Sequence, residues 1–258
     1  MARILAVANQ KGGVGKTTTA INLAACLAAA EHPTLLVDVD PQANASTGIG
    51  VDPRTIKAHA YHLLLGLAEA ADALLPTALP ALTVLPARRE LVGAEVELVE
   101  VPERESRLKQ ALQAIEKNYA FIVIDCPPSL GFLTLNALVA ANGVIVPLQC
   151  EYYALEGLGQ ILETVRLCRQ RLNPRLEIEG ILLTMFDSRV NLAAQVVQEV
   201  REHFGKRVFR TVIPRNVRLG EAPSHGKPAI LYDIGCAGAD AYLHLAQEVL
   251  DGAAARSG

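Results

Sequence analysis

Short apolar runs alternate along this chain with longer stretches in which apolar residues recur every three to four positions. Residues 4–8 (Ile-Leu-Ala-Val-Ala) form such a run. A glycine-rich turn follows, and residues 18–30 then take up helical spacing, which reads as strand, loop, helix. The same reading predicts strands at 34–37, 82–85, 121–124, 144–148, 178–184 and 208–213. It predicts helices at 58–71, 104–117, 155–172, 193–204 and 239–250. Pro41 and Pro214 close the strands before them, because proline has no N–H to donate and restricts the residue it follows. Residues 42–50 read as a polar loop, and 90–105 as an acidic stretch without clear periodicity.

Apolar strands alternating with helices specify an α/β fold whose mostly parallel strands are joined by right-handed crossovers, a twisted sheet flanked by helices. In such sheets ligands bind beyond the carboxyl ends of the strands. At 258 residues the chain is long enough for one well-filled core, so a single domain over 1–258 is expected, with a loose tail from about 251 to 258. A composition 51% hydrophobic and 20% charged suits a buried parallel sheet wrapped in Ala- and Leu-rich helices.

Composition also excludes some classes of function. No stretch reaches 18 uninterrupted apolar residues, and the chain opens on a strand instead of a charged and then apolar leader, so a cytosolic protein is expected. Cys26, Cys126, Cys150, Cys168 and Cys236 are odd in number and contain no C-x-x-C pair, which suits apolar core filling better than disulfides or cluster binding. The net charge of −3 argues against a surface that is basic throughout. The charge is unevenly spread, however: from Arg189 to Lys227 eight Lys and Arg face three Glu, a local +5 that leaves −8 for the remainder.

The candidate chemistry sits at the predicted strand ends. Lys11, Gly12, Gly13, Val14, Gly15, Lys16, Thr17 and Thr18 lie between the first strand and the first helix, where backbone N–H groups and the positive helix end can hold phosphate. Lys16 is placed to reach the β and γ phosphates and the Thr17 hydroxyl to bind Mg²⁺. The common G-x-x-x-x-G-K-[ST] pattern would require glycine at position 10, where this chain has Gln10 and then an additional lysine, Lys11. A triphosphate can compensate two neighbouring ammonium groups that would repel each other in its absence. Asp38 and Asp40 follow the second strand and Asp125 the strand at 121–124, so all three can converge on a hydrated Mg²⁺, which needs only one or two carboxylates. Asp38 reads equally well as a turn or cap residue.

Four segments, 11–24, 36–46, 124–131 and 213–228, resemble in order and residue type the deviant-Walker ATPases of the ParA/MinD superfamily, and within it the chromosomal ParA proteins of the Soj type. The resemblance spans nearly the whole chain apart from 53–105. It implies a P-loop ATP hydrolase using ATP/ADP and Mg²⁺. Lys11 would be the signature lysine that reaches across a face-to-face homodimer to the partner's nucleotide, in the place of an arginine finger. Asp125 matches the Walker B aspartate acting on the metal through water, Asp40 the residue that positions attacking water, and Met185, Pro214 and Asn216 the adenine pocket.

Arg189 and Arg218 match positions where the family contacts DNA. The resemblance further implies sequence-independent binding of double-stranded DNA by the ATP dimer, stimulation by a ParB-type centromere-binding protein, and a cytoplasmic, nucleoid-associated location without membrane binding. Two alternatives share the nucleotide residues. A MinD-like membrane switch would need a basic amphipathic C-terminal helix, whereas residues 251–258 read Asp-Gly-Ala-Ala-Ala-Arg-Ser-Gly. A small-molecule ligase like dethiobiotin synthetase would need a substrate pocket beside the γ-phosphate.

Overall fold

The computed structural model describes residues 2–151 and 154–257. Eight strands form one sheet: β1 (Arg3–Val7), β2 (Thr34–Asp38), β3 (Leu75–Pro76), β4 (Leu82–Leu85), β5 (Phe121–Asp125), β6 (Gly143–Gln149), β7 (Glu177–Phe186) and β8 (Val208–Pro214). Their order is β3-β4-β2-β5-β1-β6-β7-β8. All neighbours are parallel except β3, which lies antiparallel to β4 at the edge. Pro76 in β3 suits that place, since an edge strand need not donate every N–H. β2 and β5 are buried at every position, as strands covered on both faces must be.

Each face of the sheet carries its own apolar layer. On one, the helix Lys16–Ala29 packs against Ala237–Ser257, with Leu23, Leu27, Tyr242, Leu245 and Val249 buried over Leu5, Val7 and Val123. On the other, Leu64, Leu91, Leu108, Leu133, Leu158 and Val196 come from six successive helices and cover Ile4, Ile122 and Val144. This is one three-layer α/β domain.

Several elements differ from the sequence reading for identifiable reasons. The loop expected over 42–50 contains a short helix, Asn44–Gly48, because the buried Asp38 carboxylate accepts from both the N–H and the hydroxyl of Ser46. The helix expected over 58–71 ends at Leu65, where Gly66 turns left-handed at φ 72°. The helix expected over 104–117 is regular only from Arg107 to Gln113; Asn136, from a neighbouring helix, accepts from Leu108 N–H and donates to the Arg104 carbonyl, fixing where it starts. That neighbour, Phe132–Ala140, shows no periodicity in sequence because it is buried almost all round. The tail expected to be loose from about 251 is helical through Ser257: three consecutive alanines propagate the turn past Gly252, and Ala253 packs on the core.

Candidate nucleotide site

Strand order decides where the chemistry collects. β2, β5 and β1 lie side by side, with Val7 and Asp38 both in register with Asp125, so the loops leaving their carboxyl ends emerge next to one another. The loop after β1 runs from Ala8 to Gly15 and opens the helix Lys16–Ala29. Gly13 and Gly15 take φ of 74° and 87°, a left-handed conformation that a side chain would strain, and this curls the backbone into a cradle. The cradle is pinned at both ends: Asn9 donates to Pro147 O at 2.7 Å and accepts from Lys11 N–H at 3.0 Å, while Thr184 Oγ1 donates to Val14 O at 2.9 Å. Neither Asn9 nor Thr184 stood out in the sequence, because the partners of each include residues more than 130 positions away.

Lys16 is buried and donates to the Lys11 carbonyl at 3.0 Å. Burial lowers its pKa, against the pull of Asp125, Cys126 and Asp40. The Lys11 ammonium turns instead toward Glu151, 3.5 Å away beyond β6, and both side chains are open to solvent. The two lysines therefore face different ways: one is committed to its own loop and the other is available outside it.

The three aspartates are buried together but bonded differently. Asp38 Oδ1 accepts from Asp40 N–H at 3.0 Å, and Oδ2 accepts from Ser46 N–H at 2.8 Å and Ser46 Oγ at 2.7 Å. Asp38 thus anchors the loop that carries Asp40, as a turn-forming aspartate does. Asp40 accepts from Gln42 N–H at 2.9 Å. Asp125 is fully buried, and neither of its oxygens completes a hydrogen bond; the Thr17 hydroxyl is near enough to favour the carboxylate without being aligned to bond it. Desolvation raises the Asp125 pKa well above the carboxylate range, and the Asp38 charge adds to the effect. A buried carboxylate left without partners is costly, and a hydrated cation shared with Thr17 would relieve it.

Beside the cradle, a cavity of about 240 Å³ opens between the ends of β7 and β8. Its walls include Gly15 and Thr18 from the phosphate loop, together with Met185, Pro214 and Asn216. Met185 is held at φ 53°, unusual for a side chain of its size and a mark of local constraint. Arg215, Leu219 and Tyr242 also line it; Tyr242, far away in the C-terminal helix, gave no sign of this in the sequence. Asn216 also caps the short helix Val217–Glu221 by accepting from Arg218 N–H at 2.9 Å.

A family model described as an AAA domain matches residues 2–178. The sporulation initiation inhibitor protein Soj of Bacillus subtilis is 56% identical over 249 residues, 96% of this chain and 98% of that protein. The chromosome partitioning protein ParA of Myxococcus xanthus is 58% identical over 248 residues, 96% of this chain and 88% of that protein. The chain belongs to the ParA/Soj family of chromosome-partitioning proteins. Among solved structures, a Mycobacterium smegmatis protein named cobyrinic acid a,c-diamide synthase, with bound ATP analogue and magnesium, superposes with a TM-score of 0.85 at 40% identity, covering 97% of this chain and 95% of that one.

The fold divides the basic stretch between Arg189 and Lys227. Arg189 follows β7, and Arg215 and Arg218 follow β8, so these three share the rim at the strands' carboxyl ends; Arg215 N–H bonds to Phe186 O there. Lys206 and Arg207 precede β8 and lie at the opposite end. The +5 counted along the sequence is therefore not a single surface. Arg189 is paired with Asp187 at 2.7 Å, and Arg218 with Glu221 at 2.8 Å and Asp233 at 3.3 Å. Exposed pairs of this kind are worth about 1 kcal/mol or less, so they hold these side chains only weakly.

Proposed function

We propose that this ParA/Soj protein is an ATP-dependent dimerising switch for DNA segregation. ATP occupies the cradle from Lys11 to Thr18, with its base in the cavity of Met185, Pro214 and Asn216. Thr17 and, through water, Asp125 hold Mg²⁺, which supplies charge neutralisation at the phosphates. Asp40 orients the attacking water. Lys16 serves its own nucleotide, and Lys11 serves that of the second subunit. Arg189 and Arg218 contact double-stranded DNA without reading its sequence, and a ParB-type centromere-binding protein stimulates hydrolysis. The protein is then nucleoid-associated whenever it carries ATP.

The observation that carries the trans role is the direction of Lys11: its ammonium lies beside Glu151, outside the loop in which Lys16 is already bonded to the Lys11 carbonyl. Asp40→Ala tests the cycle. With ATP and Mg²⁺ it is expected to sediment as a persistent dimer that retains nucleotide and turns over at least tenfold more slowly than wild type. A monomeric wild-type protein under a non-hydrolysable analogue, or normal turnover by Asp40→Ala, refutes the scheme. Turnover that ignores DNA and the partner but consumes a metabolite would point to a small-molecule ligase.

A further inference from the structure

The helix Leu91–Glu97 and the turn Leu98–Glu100 present two unlike faces. Leu91, Ala94 and Leu98 are buried in the core, whereas Val92, Val96 and Val99 are 53%, 73% and 53% exposed. The three valines are spaced four and three positions apart, so they form one stripe pointing away from the core. Isolated exposed apolar residues are ordinary; an aligned row of β-branched side chains on a surface helix is not.

Around the stripe the charge is of one sign. Residues 90–105 hold six Glu and one Arg, a net of −5. That arginine, Arg104, is occupied: it bonds the Val99 carbonyl, pairs with Glu105 at 3.3 Å and stacks on the Phe132 ring at 4.5 Å. Glu97 accepts from Tyr61 Oη at 3.1 Å and Glu103 from Gln110 at 2.7 Å. Among the described residues Glu95 and Glu100, flanking the valines, have no basic partner.

We infer that Val92, Val96 and Val99, with Glu95 and Glu100, form a docking surface for a basic amphipathic helix of another protein, its apolar residues on the valines and its Lys or Arg on the glutamates. The charge argues for that occupant: two copies of a −5 surface repel each other, and an acidic partner is repelled as well. Helix-on-helix contact of this type is read through anchors at i, i+4 and i+7, the spacing the valines offer.

The surface also touches the loops that carry the aspartates. Ala87 N–H donates to Ser46 Oγ at 2.9 Å, and that hydroxyl donates to Asp38, so the segment leading into this helix is linked to the loop bearing Asp40. Glu95 lies against Gly131, in the loop that follows Asp125: a methyl group there would come within 2.6 Å of Glu95 Oε1. A helix docked on the valines bears on both loops. This regulatory part rests on the switch reading above, whereas the docking part does not.

The probe is a synthetic 16-residue helix with Leu at i, i+4 and i+7 and Lys on both flanks, compared with the same peptide carrying Glu for every Lys. Fluorescence anisotropy on the full chain is expected to show binding of the Lys peptide alone, weakened as salt rises from 0.1 to 1 M and the Debye length falls from about 10 to about 3 Å. Val92→Ser/Val96→Ser and Glu95→Gln/Glu100→Gln should each weaken it about tenfold or more, with circular dichroism and thermal unfolding unchanged because every substituted side chain reaches solvent. Equal binding to wild type and the valine variant, or no binding of the Lys peptide, overturns the docking surface. So does a change in sedimentation of the peptide-free valine variant, which would make the stripe a contact between copies. Binding without a change of at least twofold in ATP turnover overturns only the link to the switch loops.

Discussion

Asp38→Asn separates the anchoring of the catalytic loop from the burial of charge. The wild-type carboxylate is fully buried and accepts three hydrogen bonds, yet desolvation still lifts its pKa from 3.8 to about 6. Its ionised form is thus a penalty on the fold, fully present above pH 7 and relieved as pH falls through 6. Between pH 7.5 and pH 5 the relief is on the order of 1 kcal/mol, out of a total penalty of roughly a few kcal/mol. Asparagine is isosteric and uncharged, so it removes the penalty, but its amide must face either Asp40 N–H or the Ser46 donors with hydrogens of its own. Each donor orphaned in this way costs about 1–3 kcal/mol.

At pH 7.5 the two effects offset each other and Asp38→Asn should be within about 2 kcal/mol of wild type. At pH 5, where the wild type has already protonated, the variant should be worse by on the order of a further 1 kcal/mol. Asp125 adds in the same direction, since the Asp38 charge helps raise its pKa. His59, whose imidazole burial holds down to about 4, is present in both proteins and cancels. Urea unfolding of the nucleotide-free proteins at the two pH values reads this directly, provided the m-value is unchanged. Turnover should fall about tenfold through kcat with KM nearly constant, because either orientation of the amide leaves the loop that carries Asp40 without one of its two anchors, Asp40 N–H or Ser46. A stability difference independent of pH, or larger at pH 7.5, refutes the burial argument; unchanged kcat refutes the anchoring.

Three further expectations follow from the same geometry. Asp125→Asn removes a buried carboxyl that has no hydrogen-bond partner and that the fold resists ionising, so it should raise the unfolding midpoint of the nucleotide-free protein at pH 7.5 while weakening Mg²⁺-dependent nucleotide binding at least tenfold by calorimetry. Glu151→Gln frees the Lys11 ammonium from an exposed pair worth under about 1 kcal/mol; thermal stability should not move, and dimer affinity with a non-hydrolysable analogue should rise by up to about fivefold in sedimentation. Arg218→Glu should abolish ATP-dependent retention on DNA and leave that dimerisation intact. If each subunit makes two phosphate contacts, the slope of log K against log salt for the wild-type dimer should be near −3.6.

The linear pattern of residues determined the α/β class, most strand positions and the phosphate loop, because each of these depends on neighbours within a few positions. Apolar runs choose strands, and Lys16 with its glycines forms a cradle wherever a strand meets a helix. A resemblance carried by short segments implied roles for Asp40, Asp125, Pro214 and Asn216, and with them Met185. What only the tertiary structure decided is set by contacts between distant parts. Asp38 anchors the loop of Asp40 because Ser46 folds back onto it. Asn9 and Thr184 matter because β6 lies beside β1 and β7 beside β6, which brings Pro147 and Thr184 against the phosphate loop. The basic stretch divides because a helix carries the chain from one end of the sheet to the other between Arg189 and Lys206, and a count of charges along a line has no knowledge of that turn. The valine stripe was invisible for a related reason: periodicity shows that a helix has an apolar side, and only packing shows which apolar side the core has left uncovered.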